Sequence, residues 1–415
     1  MIGALANPWF RRLWLAQVGL SLGDAVMQMG LVEYVRRAQL DVATETARML
    51  FVAALPGVLW GPLAVLWLDR WPRRRTLLIS DAVRLACVAA LVWWTQPLDA
   101  AWRPVSALTG VLVMLFVIGT ITAFYLPVRY AMIPNLVPTE QLVPANTALS
   151  ISLAIANIGG RAAGGWIAET FGVTVALLAN AVAYIASLFW IATLRPPAAP
   201  QAPSPVPRDR ATVWEQWRDG WRYLLVHRTA MPLVVLAGVF ALMLGVLIVT
   251  IVGYATDTLQ LGTAGLGFLI GAAGLGAAGG VVLIGRGRPW SRSVWLPVVQ
   301  LVMLAACLVA LSFARDLPVV MLLMVLLGAI GATVMIPIDA KLQEEVEDAR
   351  RGAVYAARGM LTSGLMLVAF WLRFGTPWLR QTPPPVVLQL CAIVMFGAAA
   401  WAAFILRRKQ SQSIG

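Results

Sequence analysis

The sequence is poor in charge and almost without histidine. Only 12% of its 415 residues are Asp, Glu, Lys or Arg, whereas 60% are hydrophobic. A soluble domain carries about 25% charged residues, so a chain of this composition needs lipid to cover its surface. His227 is the single histidine, which argues against a zinc site or a histidine-based catalytic triad.

Cysteine is equally scarce. Cys87, Cys307 and Cys391 lie far apart in apolar runs, so they form neither a disulfide framework nor a metal-ligand spacing. The glycine-rich run from Gly262 to Gly280 lacks the Lys-Ser/Thr ending of a phosphate loop. We interpret it as a small-residue face that lets neighbouring helices approach closely. No metal and no cofactor are expected, and the spans show no constellation that would make the chain an enzyme.

Long apolar runs dominate what is present. About 20 helical residues cross the roughly 30 Å of hydrocarbon in a bilayer, and the sequence contains twelve runs of that kind. They lie near 12–35, 46–68, 76–95, 105–126, 142–167, 172–194, 232–255, 264–285, 293–314, 317–338, 353–373 and 386–406. The predicted class is an all-α polytopic membrane protein with twelve transmembrane helices.

The formal net charge of +13 would suggest nucleic acid as a partner of a soluble protein. In a membrane protein, Lys and Arg concentrate in the cytoplasmic loops and contact anionic lipid. If the N-terminus is cytoplasmic, most of the basic residues of this chain lie in segments on the cytoplasmic side of the membrane. We therefore expect a bacterial-type inner-membrane protein with both termini cytoplasmic, membrane lipids as partners and no nucleic acid.

The two halves of the chain repeat each other. The loop that begins "PVRYAMIP" at Pro127 and the one that begins "PIDAKLQEE" at Pro337 both follow the fourth span of their half. The prediction is two pseudo-symmetric six-helix bundles, at 1–194 and 231–406. A Pro-rich linker and amphipathic helix occupy 195–230, and 407–415 form a basic cytoplasmic tail. In such repeats the substrate site lies between the halves at the bilayer midplane.

The linker ends in "ATVWEQWRDGWRYLLVHR". Trp214, Trp217, Trp221, Leu224 and Leu225 share one helical face, and the charged residues fall elsewhere. This pattern favours an interfacial helix on the cytoplasmic leaflet. The alternative is a simple extension of the seventh span.

Several segments resemble the major facilitator superfamily. They are "NPWFRRLWLAQVGLSLGD" at the start, "LDRWPRRRTLLISDAVR" after span two, "PVRYAMIPNLVPTEQLVPANTAL" after span four and "RRGAVYAARG" before span eleven. Together they are similar to the branch of bacterial drug, macrolide and siderophore exporters. The resemblance implies that fold, and a proton-coupled exporter of a hydrophobic or amphipathic small molecule that acts as a monomer.

Two positions depart from the family pattern. Val65 stands where the family has glycine, four residues before the Asp of span two, which predicts looser helix packing there. In "NIGGRAAGGW", Arg161 stands at the proline of the family's antiporter motif in span five. This second departure weakens the inference to antiport, whereas the glycines around Arg161 predict a small-residue packing face on span five.

The loop after span two predicts a cytoplasmic gate. Asp69 is expected to dock at the N-terminus of span eleven, near Gly352, because a helix N-terminus carries partial positive charge. Such a contact would latch the outward-open state; the alternative is a topology signal alone. The predicted gate residues are Asp69, Arg70, Arg73, Arg74, Asp81, Arg84, Arg129, Arg350 and Arg351.

Three ionisable residues lie inside the predicted spans. Asp24 and Arg161 fall at similar depth on spans one and five, which the resemblance makes neighbours, so we predict that they pair. Glu33, near the outer end, has Arg36 or Arg37 as its simpler partner. The pair would serve as a proton-coupling site, as a permanent strut, or, through Arg161, as a contact for an anionic substrate group.

The family assigns spans one, four, seven and ten to the substrate cavity. The candidate lining residues are Met27, Gln28, Phe124, Tyr125, Phe240, Met243 and Met335. A mostly apolar lining fits a lipophilic or amphipathic substrate. The alternatives are a lysophospholipid or lipid flippase of the same superfamily, and a non-transporting membrane sensor or partner subunit.

Overall fold

The computed structural model describes residues 5–67, 71–96, 106–194, 213–226, 230–285, 293 and 295–412. In this part of the chain twelve helices are long and apolar enough to cross a membrane. No strand occurs among the described residues. The predicted all-α class and the twelve spans are therefore confirmed.

Six helices precede the linker and correspond to the first six spans. They are α1 (Pro8–Arg37), α2 (Val42–Trp67), α3 (Arg73–Thr95), α4 (Ala107–Met132), α5 (Leu142–Phe171) and α6 (Val173–Ala192). Local chemistry defines the beginning of α1. The Asn7 side chain accepts hydrogen bonds from the backbone N–H groups of Trp9 and Phe10, and Pro8 occupies the first helical turn, where no N–H is needed.

Nine further α-helices follow among the described residues. They are α7 (Val213–Val226), α8 (Ala230–Gly253), α9 (Thr263–Gly285), α10 (Leu296–Phe313), α11 (Leu317–Gly331), α12 (Met335–Glu345), α13 (Asp348–Gly375), the short α14 (Pro377–Gln381) and α15 (Pro384–Gln412). The tenth predicted span is divided between α11 and α12. The eleventh begins at Asp348, one turn before the predicted Gly352.

The described residues fall into two compact units. Unit 1 contains those within Met1–Pro207 together with Leu261–Gly271, the first part of α9. Unit 2 contains those within Arg208–Gln260 and Ala272–Gly415.

Small residues set the packing of α1 in unit 1. A Cβ atom added at Gly160 of α5 would lie 2.7 Å from the Ala25 Cβ and the Leu22 carbonyl oxygen, and one at Gly164 would lie 2.6 Å from the Val26 Cα. On another side of α1, Gly23 lies against Ala183 of α6. Gly160 and Gly164 of "NIGGRAAGGW" therefore form a close-packing face toward α1, and Gly165 packs against Thr263 of α9, which confirms the predicted small-residue packing face on span five.

Glycines also bring helices together in unit 2. Gly276 and Gly280 of α9 lie against the Val325 and Ala329 carbonyls of α11, and Gly328 of α11 lies against the Ala273 carbonyl. None of these positions has room for a Cβ atom. This confirms the predicted role of the glycine-rich run.

The linker helix α7 is not a straight extension of α8. Gly238 of α8 lies against Leu361 and Leu365 of α13. Because Gly245 of α8 lies against Met366 and Ala369 of α13, the two helices run in the same direction. If α8 continued straight beyond its N-terminus, Gly220 would lie beside residues that precede α13. Gly220 instead lies against Ala353 and Ala357, so α7 leans across α13, as expected of a separate helix.

Candidate functional site

A group of polar and charged side chains lies in the interior of unit 1, where α1, α3, α4 and α6 meet. We call it the buried polar cluster. Its members are Gln17 and Asp24 on α1, Asp81 and Arg84 on α3, Tyr125 and Arg129 on α4, and Asn180, Tyr184 and Ser187 on α6. All are buried except Asp24, which is half-buried.

Asp24 is held by α6. One carboxylate oxygen accepts hydrogen bonds from the Asn180 side-chain amide at 3.0 Å and from the Tyr184 hydroxyl at 2.9 Å. Among the described residues, Asp24 forms no ion pair. Its carboxylate is therefore held by neutral donors.

Asp81 and Arg84 form an ion pair one helical turn apart on α3. The Arg84 Nη2 lies 2.5 Å from Asp81 Oδ1, and the two side chains are 3% and 0% exposed. The Ser187 hydroxyl donates to the other Asp81 oxygen at 2.6 Å. Because both charges are buried, removal of either partner would leave an uncompensated charge in the interior.

Two tyrosines lie against the Arg84 guanidinium. Its carbon is 4.0 Å from the Tyr125 ring centroid and 5.2 Å from that of Tyr184. Aromatic faces attract cations through the ring quadrupole. Because the Tyr184 hydroxyl also donates to Asp24, Tyr184 joins Asp24 to the Asp81–Arg84 pair.

The cluster continues through Tyr125 toward the end of α4. The Gln17 amide donates a short hydrogen bond to the Tyr125 hydroxyl. The Gln17 carbonyl oxygen in turn accepts from Arg129 at 3.4 Å. Gln17 and Asp24 are seven residues apart on one helix, so the cluster extends about 10 Å along α1.

The cluster holds two carboxylates and two guanidinium groups. A charge within a span costs roughly 2.5–3.5 kcal/mol or more unless it is paired or hydrogen-bonded. Here the formal charges balance, and hydrogen bonds connect the members across four helices. The cluster is therefore a connected, charge-balanced group of polar side chains inside unit 1.

The predicted Asp24–Arg161 pair is not formed. The Arg161 Nε donates to Asn157 on its own helix at 3.0 Å. The residues of α1 that face α5 are Leu22, Ala25 and Val26. At 100° per residue, Asp24 points about 150° away from their mean direction. The pairing was wrong because the two helices meet through another side of α1.

The prediction for Glu33 is confirmed. Its carboxylate is fully buried and pairs with the Arg36 Nε at 2.7 Å and the Arg37 Nε at 2.5 Å. Arg37 also donates to the Ala168 and Glu169 carbonyls at the end of α5. Cations are favourable at that position because a helix C-terminus carries partial negative charge.

The same corner of unit 1 holds the first turn of α9. Thr263 donates its hydroxyl to Glu33 at 2.6 Å, and the Glu169 carboxylate accepts from the Ala264 backbone N–H at 2.7 Å. Glu169 therefore caps the N-terminus of α9. Sequence reasoning missed this contact. The signal that could have found it was Glu169, an acidic residue close to the end of the apolar run of span five.

The predicted gate residues that the structure describes lie in three separate places. Asp69 and Arg70 lie outside the described residues. Arg73 donates to the Ala131 carbonyl at 2.6 Å, and Arg74 donates to the Ile191 carbonyl at 3.2 Å and to that of Ala192. Both arginines therefore bond to carbonyls at or near the ends of helices within unit 1.

Asp81, Arg84 and Arg129 do not lie at the surface, which corrects their assignment to a cytoplasmic gate. Asp81 lies eight residues after the beginning of α3, a rise of about 12 Å, and is 0% exposed. The amphipathic pattern of α3 turns Asp81 and Arg84 toward α4 and α6, and Arg129 of α4 donates to Gln17 of α1. All three belong to the buried polar cluster.

Arg350 and Arg351 bond within unit 2. Arg350 lies 3.8 Å from Glu347 and above the Tyr223 ring at 5.4 Å. Arg351 donates to the Val346 carbonyl at 3.0 Å and the Gln343 carbonyl at 2.5 Å. The gate itself remains a prediction.

The candidate cavity residues differ in burial. Met27 and Tyr125 lie in the hydrophobic core of unit 1. Phe240 and Met243 are buried in unit 2, whereas Gln28, Phe124 and Met335 are half-buried. Their role in substrate binding remains a prediction.

Sequence reasoning also missed Asn180, Tyr184 and Ser187. They recur at intervals of four and three residues on α6, which places them on one helical face. A polar face within an otherwise apolar span was the signal that could have found them.

Twelve apolar helices with an interior charge cluster define a multi-pass membrane protein of the transporter type. The family model described as Major Facilitator Superfamily matches residues 13–371, so the chain belongs to that superfamily. Its fold resembles the crystal structure of a mutant of the nucleoside transporter NupG. The TM-score is 0.72 at 13% sequence identity, covering 95% of this chain and 98% of that one.

Three relatives are informative. An uncharacterized MFS-type transporter of Mycobacterium tuberculosis is 28% identical over 88% of this chain and 82% of its own. A lysophospholipid transporter of Yersinia enterocolitica is 27% identical over 79% of this chain and 77% of its own. Macrolide efflux protein A of Streptococcus pyogenes is 30% identical, but over 33% of each chain.

Proposed function

We propose that this protein is a secondary active transporter that works by alternating access and exports a hydrophobic or amphipathic small molecule in exchange for protons. The observation that carries the proposal is the state of Asp24. Its carboxylate is held by Asn180 and Tyr184, which are neutral donors. It can therefore accept a proton without breaking an ion pair.

The two carboxylates of the buried polar cluster then have different roles. Asp81 is the strut, because its pair with Arg84 is buried and further fixed by Ser187. Asp24 is the coupling residue. Its protonation removes the charge that the Asn180 and Tyr184 donors face, which loosens the contact between α1 and α6 and biases the conformational equilibrium. Arg161, hydrogen-bonded within α5, is the candidate contact for an anionic substrate group.

The substrate proposal rests on relatives and on composition. The relatives include a macrolide efflux protein and a lysophospholipid transporter. The two substrates that these names give are both lipophilic or amphipathic. The candidate lining residues are mostly apolar. We place the protein as a monomer in a bacterial inner membrane with both termini cytoplasmic.

Lysophospholipid transport is the second candidate. One observation favours it: similarity to the lysophospholipid transporter extends over 79% of this chain, whereas similarity to the macrolide efflux protein covers 33%. A flippase of this kind does not require proton antiport.

Transport in proteoliposomes tests both candidates. Purified protein is reconstituted with either a lipophilic cationic dye or a fluorescent lysophospholipid, with and without an imposed pH gradient. The proposal predicts dye flux that requires the gradient and is lost in Asp24→Asn. Asp316→Asn, an exposed carboxylate at the N-cap of α11, is the matched control and should transport normally.

Three outcomes are informative. Gradient-independent movement of the lysophospholipid alone would favour the flippase. Gradient-driven flux that survives Asp24→Asn would remove Asp24 from the coupling role. Absence of flux for both compounds would favour the non-transporting sensor or partner subunit.

A further inference from the structure

Four polar side chains form a strip along α5, which we call the polar strip. Asn146, Ser150, Asn157 and Arg161 lie within about 60° of one another around the helix and extend over about 22 Å of its length. Asn146 and Ser150 are exposed, and Asn157 and Arg161 are half-buried. Polar groups inside a span face water or polar partners, because hydrocarbon offers them no hydrogen bonds. The strip therefore marks a polar side of α5.

Arg161 points between the two close contacts that α5 makes with its neighbours. Gly160 and Gly164 pack against α1, and Ala162 and Gly165 pack against the first part of α9, all within unit 1. Around the helix, Arg161 is about 80° from the mean direction of the first two residues and about 70° from that of the second two. Its side chain therefore enters neither helix contact.

Arg161 is a cation without a carboxylate partner in the part of the chain that the structure describes. Its Nε donates to Asn157 Oδ1 at 3.0 Å, which leaves both Nη groups without a protein acceptor among these residues. The carboxylates of Asp24 and Glu169 are engaged elsewhere, by α6 and by the first turn of α9. A charge inside a span is costly unless it is paired or faces water, so this guanidinium is open to a ligand.

Arg161 is not placed to reach the membrane surface. It lies ten residues from the end of α5 at Phe171 and nineteen from its beginning at Leu142. An arginine that reached for lipid headgroups would turn toward the nearer end. The Nε bonds instead to Asn157, one turn toward the farther end, which is also the direction in which helical side chains lean. The charge is therefore held inside the span.

We infer that Arg161 binds the anionic headgroup of an amphipathic substrate, a phosphate or a carboxylate, and that the polar strip is the route by which the headgroup reaches it. The inference rests on the proposed function in taking the cargo to be amphipathic. The two Nη groups can hold two oxygens of one oxyanion. In the proposed topology α5 begins on the cytoplasmic side, so the strip leads from the cytoplasm to Arg161.

Asn157 acts as a positioning residue in this subsite. By accepting from the Arg161 Nε it fixes one edge of the guanidinium and leaves the Nη groups for the ligand. Ser150 and Asn146, nearer the beginning of α5, offer a hydroxyl and an amide along the route. The subsite thus selects by headgroup charge, and a cationic or neutral amphiphile binds without using it.

Binding to the purified full-length protein in a maltoside detergent tests the inference. Dissociation constants are measured by thermal-shift titration with dodecyl phosphate, dodecanoate and dodecyltrimethylammonium, which carry similar alkyl chains. Wild type should bind at least one anionic probe about tenfold more tightly than the cationic probe. Arg161→Gln should remove this difference and leave the Kd of the cationic probe unchanged. The anionic probe that binds more tightly identifies the headgroup.

Two further variants separate charge from geometry. Arg161→Lys keeps the positive charge but loses the two-point donor geometry of the guanidinium. Asn157→Ala keeps the guanidinium but removes the acceptor that orients it. Each should weaken binding of the anionic probe by about threefold, and neither should change the Kd of the cationic probe. Melting temperatures without probe show that each variant is folded.

Arg12→Gln is the matched control, because it removes another half-buried arginine of unit 1, one that donates to the Thr193 carbonyl at the end of α6. It should bind all probes like wild type. Equal Kd values of wild type for the anionic and cationic probes would overturn the inference. So would a loss in Arg161→Gln no larger than that in Arg12→Gln, or binding of inorganic phosphate as tight as that of dodecyl phosphate.

The outcome for this subsite is separable from that for the proposed function. If the anionic probes bind through Arg161 but do not cross proteoliposomes, the subsite stands and the export proposal fails. If wild type and Arg161→Gln transport an anionic amphiphile equally well, the transporter stands and the subsite is overturned.

Discussion

Asp24 and Asp81 lie in one cluster of side chains but are held by different chemistry. Asp24 is half-buried and accepts from two neutral donors, whereas Asp81 is fully buried and pairs with Arg84. A proton on Asp81 would break an ion pair in the interior, which is costly. A proton on Asp24 would not, and the proposed division between a structural role for Asp81 and a coupling role for Asp24 rests on this difference.

Substitution of the two aspartates should therefore affect stability unequally. Asp81→Asn leaves the Arg84 guanidinium, 3% exposed, without its carboxylate, and we expect a loss of about 3–5 kcal/mol of unfolding free energy. Asp24→Asn keeps an oxygen that accepts from Asn180 and Tyr184, so the loss should be about 1 kcal/mol. Denaturation in detergent measures both, and equal losses would contradict the division.

Asp24 and Arg161 should behave as independent sites, since Asp24 bonds to α6 and Arg161 bonds to Asn157 on α5. In a double-mutant cycle of Asp24→Asn and Arg161→Ala, the two losses in unfolding free energy should add within about 0.5 kcal/mol. A partial rescue in the double mutant would show that the two charges do pair in a populated state.

At the scale of helices, small residues determine which sides meet. Two glycines of α5 lie against Leu22, Ala25 and Val26 of α1, and Gly23 of α1 lies against α6. Without a hydrophobic force between helices in lipid, close packing of this kind stabilises their association. The same packing turns Asp24 toward α6.

Gly159 and Gly160 provide a matched pair on α5. Both substitutions to Ala gain helix propensity of up to about 1 kcal/mol. The added Cβ at Gly160 would lie 2.7 Å from α1 atoms, whereas at Gly159 it meets nothing within 4 Å. We expect Gly160→Ala to be less stable than Gly159→Ala by about 1–3 kcal/mol in detergent denaturation. Equal stabilities would mean that α5 does not depend on this close approach.

For the whole molecule, twelve spans and a basic excess on one side predict the topology. The loop after α1 should be external and the loop after α4 cytoplasmic. In a variant without Cys87, Cys307 and Cys391, an impermeant maleimide should label Leu40→Cys in right-side-out vesicles. Glu140→Cys should react only after permeabilisation. The reverse pattern would invert the proposed orientation.

Much of the fold followed from composition alone, because the apolar runs located all twelve spans. This succeeds because a bilayer requires each crossing segment to satisfy its own backbone hydrogen bonds and to be apolar over a known length. The gate and cavity residues, which depend on contacts between distant segments, were not determined in this way.

The sequence by itself determined the helical membrane class, the number of spans, Arg36 or Arg37 as the partner of Glu33 and the close-packing glycines around Arg161. Each depends on the spacing of residues that are close in sequence or on the free energy of transferring one segment to lipid. Both can be obtained from the order of the residues without knowing the tertiary contacts. Only the tertiary structure decided that Asp24 bonds to α6, that Arg161 bonds within α5, and that Asp81 and Arg84 are interior. The rotation of a helix about its axis is set by every neighbour packed against it, and depth along a span does not reveal it.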